Sequence, residues 1–291
     1  MKRILVPVDF SSHTETSCRY ALEIGKVTGA ELIIFHSFFD QFYYSDGGLA
    51  TGFESGILMT DEIILDFYKQ KEASLRQLVS TLNERQKNED ERKVQITARM
   101  ESGNPEIQII HTIQVLSPDL IIMGSGGMGK KGLLAGSVAR RIIDHTNIPV
   151  IAVPDNEKEP SIRKIAYMTT FDLADIGIIK QIDGMLAGFN AEYYCLHITD
   201  KSPDPESRIK MEELCRGLNE ANLKDRVTAH VETSQNHKEV LKHFMATYHT
   251  DLIAFIPHKR NIFQNLFYQG ITKDDLFQTQ VPVMAVKPVN V

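Results

Sequence analysis

Asp119-Leu-Ile-Ile-Met-Gly-Ser-Gly-Gly-Met-Gly-Lys-Lys-Gly-Leu-Leu-Ala-Gly-Ser137, continued by Asn147-Ile-Pro-Val-Ile-Ala-Val153, reads as a buried strand, a glycine-rich loop, a helix and a second strand. The apolar run Leu120 to Met123 stops at Gly124, and the glycines that follow let backbone amides turn toward a ligand without Cβ clashes. Gly136-Ser137 stands where the next helix begins, so unpaired N–H groups and the positive end of a helix dipole face the same place. Parts in that order predict an anion pocket, and phosphate is the expected anion.

The opening of the chain agrees. Arg3-Ile-Leu-Val-Pro-Val-Asp9 is an apolar strand ending in an acid, and Ser11, Ser12 and Thr14 follow as hydroxyl residues able to cap a helix. Open α/β sheets bind ligands outside the carboxyl ends of their strands, which is where Asp9 falls. Glu31-Leu-Ile-Ile-Phe-His36-Ser37 reads as the next strand.

The same pattern occurs twice. Asp119-Leu-Ile-Ile-Met recurs as Asp251-Leu-Ile-Ala-Phe, and Ile148-Pro-Val-Ile-Ala-Val153 as Val281-Pro-Val-Met-Ala-Val286. Arg3-Ile-Leu-Val has its counterpart in Lys164-Ile-Ala-Tyr, and Leu32-Ile-Ile-Phe-His36 in Tyr193-Tyr-Cys-Leu-His197. The break falls in the polar stretch Pro154-Asp-Asn-Glu-Lys-Glu-Pro160, giving expected domains over 1–154 and 161–291. Strands are expected near 3–8, 31–37, 93–99, 119–123 and 148–153, then near 162–168, 191–198, 225–232, 251–256 and 281–287. Helices are expected near 13–28, 60–86, 104–116 and 137–146, and between the strands of the second half. Strands alternating with helices imply parallel sheets covered on both faces, so the fold class is α/β, with two tandem open five-stranded sheets. Their edges, Ile148–Val153 and Val281–Val286, would otherwise expose unpaired backbone and are expected to meet.

The halves differ where a ligand would sit. The stretch from Phe38 to Thr60, rich in Gly, Tyr and Phe, enlarges the first half and is placed to close over a ligand, to remain a surface loop or to touch a partner. In the second half Thr170 replaces Asp9, Ile256 replaces Gly124, and Gln269-Gly270 replaces Gly136-Ser137. One phosphate site per chain is therefore expected.

The composition excludes several classes. A chain of 291 residues is long enough for two cores, and 42% apolar with 24% charged residues is ordinary for globular proteins. A net charge of -6 argues against nucleic acid as a main partner. No apolar run reaches the roughly 20 residues of a membrane span, and the N-terminus lacks the apolar region of a signal peptide, so a cytoplasmic location is expected. Cys18, Cys195 and Cys215 have neither disulfide nor metal spacing and are expected to be reduced and structural. His36 and His197 occupy matched positions in apolar strands and read as satisfied core histidines rather than metal ligands.

On these residues the chain resembles the universal stress protein family, as a tandem two-domain member. The family's loop pattern is Gly, two residues, Gly, nine residues, Gly, then Ser or Thr; Gly124, Gly127, Gly136 and Ser137 match it, with eight residues in the long interval. The likeness extends to Pro7 and Asp9, and to the strand ending at Ser37, where the family commonly has Val against adenine. It implies a Rossmann-like fold of the adenine nucleotide alpha hydrolase type and binding of ATP or AMP as a stress-response regulatory module. By the same likeness Asp9 would recognise the adenosine, and Met123 and Gly124 would lie beside ribose and base. Gly127, Gly136, Ser137 and Val138 would cradle phosphates, with Lys130 or Lys131 neutralising charge and any magnesium held through phosphate oxygens. Family members pair as dimers through the edge strand, so the tandem resembles a covalent dimer.

Other readings remain. Gly124-Ser-Gly126-Gly-Met-Gly129 fits the dinucleotide fingerprint, but it follows the fourth strand rather than the first, and the next strand ends in Pro154 rather than an acid. Gly124 to Lys131 approaches a Walker loop, yet Lys131 stands where Ser or Thr would hold magnesium. A slow ATPase would need a base or water-positioning acid that no motif marks. A tight glycine turn without ligand would make the chain a scaffold. Against it, an acid such as Asp9 ending a strand beside the loop has no evident packing purpose.

Overall fold

The computed structural model describes residues 1–38, 61–86, 92–126, 137–156, 159–200, 204–257 and 280–288. Strand β1 (Arg3–Pro7) leads to helix α1 (Ser12–Thr28), β2 (Glu31–Phe38), α2 (Asp61–Glu84), β3 (Ile96–Ser102), α3 (Pro105–Leu116), β4 (Leu120–Gly124), α4 (Ser137–His145) and β5 (Val150–Val153). The order then repeats as β6 (Lys164–Met168), α5 (Asp175–Met185), β7 (Glu192–Thr199), α6 (Pro205–Leu218), β8 (Val227–Thr233), α7 (His237–Tyr248), β9 (Leu252–Phe255) and β10 (Val283–Ala285). Expected features at Phe38 to Thr60 beyond Phe38 itself, and at Gln269-Gly270, lie outside the described residues.

All ten strands share one sheet in the order β3-β2-β1-β4-β5-β10-β9-β6-β7-β8. Each half is parallel throughout, and β10 meets β5 antiparallel with Met284 opposite Ile151. Side chains alternate across the strands, so Ile4, Val6, Leu32 and Ile34 fall on one face while Leu5, Ile33 and Phe35 fall on the other. The first layer carries on through Ile151 and Met284 to Tyr167 and Tyr193; the second carries on through Ala152 and Val283 to Leu196 and Phe255. Both cores therefore cross the joint between the halves.

Strands β5, β10 and β3 begin later than the sequence pattern predicts, for local reasons. Pro149 and Pro282 have no N–H for the ladder, so regular pairing starts at Val150 and Val283. Before β3, the Val94 amide bonds to Gln86 Oε1 at 2.6 Å and its carbonyl accepts from Gln86 Nε2 at 3.2 Å. A side chain has taken the place of a neighbouring strand, and the ladder opens only at Ile96.

The repetition extends to backbone fastenings. Asp119 Oδ2 accepts from the Lys2 and Arg3 amides at 2.7 and 2.9 Å; Asp251 Oδ2 accepts from the Arg163 and Lys164 amides at 2.9 and 3.0 Å. Burial pushes the Asp119 carboxyl up, but the two amides outweigh it and hold the group below its ordinary value. Asn104 and Asn236 cap α3 and α7 through their side chains, and Ser117 and His249 end those helices in the left-handed conformation. These matched details make the two halves copies of one folding unit.

Candidate functional site at the carboxyl ends of strands β1 and β4

In the first half β1 is flanked by β2 on one side and β4 on the other, so the order in which the parallel strands are added reverses between β1 and β4. Crevices in open α/β sheets form at this switch point, outside the strand ends. Asp9 follows β1 there, Gly124 ends β4 opposite Val153, and α1 and α4 both begin on that side. Two helix N-termini thus face the crevice from either flank.

The Asp9 carboxylate is half-buried, and its Oδ1 accepts from the Ser11 amide at 2.9 Å, the Ser11 hydroxyl at 2.6 Å and the Thr14 hydroxyl at 3.4 Å. This corrects two expectations. Asp9 does have a structural purpose, because it ties the β1–α1 turn; and Ser11, although at the N-cap position, makes no side-chain cap bond. The acceptor at this helix start is the acid rather than a hydroxyl. Phe10 takes φ of 60° between them, and its ring lies 4.6 Å from that of His36. His36 is buried and its Nδ1 lies 2.7 Å from the Val8 carbonyl, with burial holding its pKa down. Phe171, His197 and the Thr169 carbonyl reproduce this arrangement in the second half, with φ of 62° and distances of 4.3 and 3.0 Å. Both histidines are core residues held by a carbonyl.

The remaining sequence-predicted residues divide. Pro7 is buried in β1, and the Met123 side chain packs in the core beside Leu5 and Ile121. Ser37 donates through its hydroxyl to the Gly103 carbonyl at 2.7 Å, which ties β2 to the end of β3. Val138 lies in the first turn of α4, half-buried against the same core cluster, and Ser137 starts that helix. Gly127, Lys130 and Gly136 lie outside the described residues, as does Lys131.

Two residues that no sequence pattern marked stand beside the crevice. His13, in the first turn of α1, crosses the start of the glycine loop: a Cβ on Gly124 would lie 2.6 Å from His13 Cβ, and one on Gly126 would lie 2.3 Å from His13 Nε2. Gly124 is therefore needed for the approach of α1, and His13 Nδ1 is itself buried without a hydrogen-bond partner. From α2, Lys71 Nζ sits 5.3 Å from the ring centres of both Phe10 and Phe67. It is a cation close to the rim, on a helix whose polar pattern gave no hint of it.

The corresponding crevice of the second half has a different interior. Ile256, in place of Gly124, is buried in the core. Asp175 is buried at the start of α5, where its carboxylate accepts from the Tyr167 hydroxyl at 2.7 Å and from the Thr169 hydroxyl at 2.5 Å. Burial raises the Asp175 pKa against the pull of these two donors. Among the described residues no group of three or more His, Cys, Asp or Glu side chains could hold a metal ion. Cys18, Cys195 and Cys215 are free thiols; burial pushes Cys18 up to about 12 and raises the other two as well.

The fold and the crevice define a class: a doubly wound parallel α/β protein, built twice, with a glycine-lined opening at one switch point. The sequence profile described as the Universal stress protein family matches residues 1–154, and the chain belongs to that family. It is 28% identical over 159 residues to the universal stress protein MJ0531 of Methanocaldococcus jannaschii, covering 54% of this chain and 85% of that one. The crystal structure of a universal stress protein from Archaeoglobus fulgidus superposes with a TM-score of 0.73 at 15% identity, covering 98% of this chain and 96% of the other. A Pseudomonas aeruginosa protein, PA1789, superposes with a TM-score of 0.64 at 14% identity, covering 99% and 93%. At such identities the superpositions establish the fold, over both halves. No helix among the described residues is long and apolar enough to cross a membrane.

Proposed function

We propose that the protein is a regulatory nucleotide-binding member of its family, taking ATP or AMP at the β1/β4 crevice of residues 1–154, while residues 161–291 serve a structural role. The observation that carries this reading is the meeting of an acid after β1 with the glycine-ended β4 at the switch point, between the starts of α1 and α4. Asp9 is the group placed to accept from ribose hydroxyls or the base. The Ser125 amide is already bonded to the Val153 carbonyl at 2.8 Å, so the donors for phosphates are the Gly126 amide and the start of α4 at Ser137 and Val138, with Gly127, Gly136 and Lys130 completing the cradle, Gly124 beside the ribose and any magnesium held by phosphate oxygens. Binding is the proposed activity rather than turnover, because no motif in the sequence marks a base or water-positioning acid.

A specific observation favours a second reading, that of a ligand-free scaffold: His13 lies against Gly124 and Gly126, and Asp9 already has hydrogen-bond donors from its own turn. Calorimetry on protein stripped of co-purified ligand, titrated in turn with ATP, AMP and NAD, separates the two. Saturable heat with ATP or AMP and none with NAD supports the nucleotide reading. No heat at millimolar nucleotide overturns it in favour of the scaffold, and steady phosphate release from ATP would replace the regulatory reading with an enzymatic one.

A further inference from the structure

Outside the crevice, the second half carries a groove of about 530 Å³ between the end of β8 and the flank of α7. This is within the ordinary size of a small-ligand site. Glu232 and Ser234 line it from the sheet side; Glu239, His243, Thr247 and Tyr248 line it from the helix, with Phe244 at its base. Behind these lies a continuous aromatic cluster. His230 sits 4.6 Å from Tyr248 and 5.0 Å from Phe244, Phe244 lies 4.5 Å from Tyr248, and Tyr194 lies 5.0 Å from Tyr248.

The fold does not require this cluster, as the first half demonstrates. The ladder β2·β3 pairs Phe35 with Arg99 where β7·β8 pairs Leu196 with His230, and the caps Asn104 and Asn236 align α3 with α7. By that alignment Tyr194, His230, Phe244 and Tyr248 occupy the places of Ile33, Arg99, Thr112 and Leu116, and Glu239 that of Ile107. One positive charge has been removed, one negative charge added and aromatic faces introduced, on the same backbone. Glu232 keeps the acid of Glu101 and His243 keeps His111. Of the lysines of α7, Lys242 stands three residues after Glu239 and so beside it on the helix, whereas Lys238 and Lys242 both fall away from Thr247. The groove has thus become aromatic and has gained the carboxylate of Glu239 opposite that of Glu232.

We propose that this groove binds a small organic cation of the alkylammonium class, its charge set between Glu232 and Glu239 and its carbon atoms against Tyr248 and Phe244. Carboxylates at a rim over π faces attract a weakly hydrated cation by Coulomb energy and by the ring quadrupoles together, whereas a strongly hydrated metal ion gains little from aromatic walls. Burial keeps His230 toward its neutral form and so removes a competing positive charge from behind the rings.

The test is a proton NMR titration of the full chain with tetramethylammonium chloride and with n-butylammonium chloride, following the His230 and Tyr248 ring signals, against sodium chloride at matched ionic strength. Saturable shifts with the organic cations, absent with sodium, are expected, weakened about tenfold or more in the Glu232→Gln/Glu239→Gln variant. Both glutamates are exposed, so the variant keeps its fold, which its thermal unfolding checks. Shifts matched by sodium chloride, or undiminished in the double variant, overturn the proposal. The readout lies wholly in the second half and does not depend on whether the β1/β4 crevice takes nucleotide.

Discussion

A methyl group on Gly124 would meet the Cβ of His13, which cannot move without moving α1, whereas one on Gly126 would meet the far end of that imidazole, which can swing aside. Gly124→Ala is therefore expected to cost about 1–3 kcal/mol, and Gly126→Ala less. In a His13→Ala background the Gly126→Ala penalty should vanish while that of Gly124→Ala persists, because alanine retains the Cβ; denaturant midpoints of the six proteins decide it. The turn bonds of Asp9 and the ligand contact proposed for it are separable. Asp9→Ala removes the acceptor for the Ser11 amide and should destabilise the protein by about 1 kcal/mol. Asp9→Asn keeps an acceptor oxygen and should retain most of that stability, yet weaken nucleotide binding by calorimetry. Equal affinity in the Asp9→Asn protein and the wild type would leave Asp9 as a turn residue only. The sequence displayed Asp9 and Gly124 because an acid and a glycine at strand ends are conspicuous. It did not display His13 or Lys71, whose neighbours are fixed only by how α1 and α2 pack on the sheet.

At the scale of the elements, strands β2 and β7 each carry a histidine, buried in β2 and half-buried in β7, bonded to the carbonyl after the neighbouring strand. Burial lowers both pKa values below 6.5, so the unfolded chain binds protons that the folded one resists. The stability these neutral rings contribute is complete above 6.5 and declines as pH falls from there toward the folded-state values. Asp175 works in the other direction, since its raised pKa lets the folded state take up a proton before the unfolded chain does, at 3.8. Replacing His197 by Gln should flatten the fall of the unfolding midpoint just below pH 6.5; an unchanged slope would show that the ring does not govern it. Element order was legible because apolar runs such as Leu120 to Met123 recur with the same spacing in each half. Element ends were less so: the start of β3 depended on Gln86, eight residues away, mimicking a strand partner for Val94. Likewise the turn into α1 is tied by Asp9, which accepts from the Ser11 amide, while the serines that the usual preference singles out make no side-chain cap bond.

For the molecule as a whole, β5 and β10 merge two five-stranded units, and Met284 and Ile151 are both fully buried at that seam. Met284→Lys places an ammonium inside the first core layer and should cost several kcal/mol, with the amides of β5 and β10 the first to lose protection in hydrogen exchange. A variant that unfolds at the wild-type denaturant concentration would mean that the seam contributes little. The seam also has a directional result. It is the antiparallel pairing in an otherwise parallel set among the described strands, so the strand tips of residues 1–154 and those of residues 161–291 open at opposite poles of the molecule. A nucleotide lodged at one pole leaves the other bare for a visitor of any bulk. Among the described residues the two poles share only the layers of strands between them, and any coupling of the proposed ligand to the far pole would run through those layers.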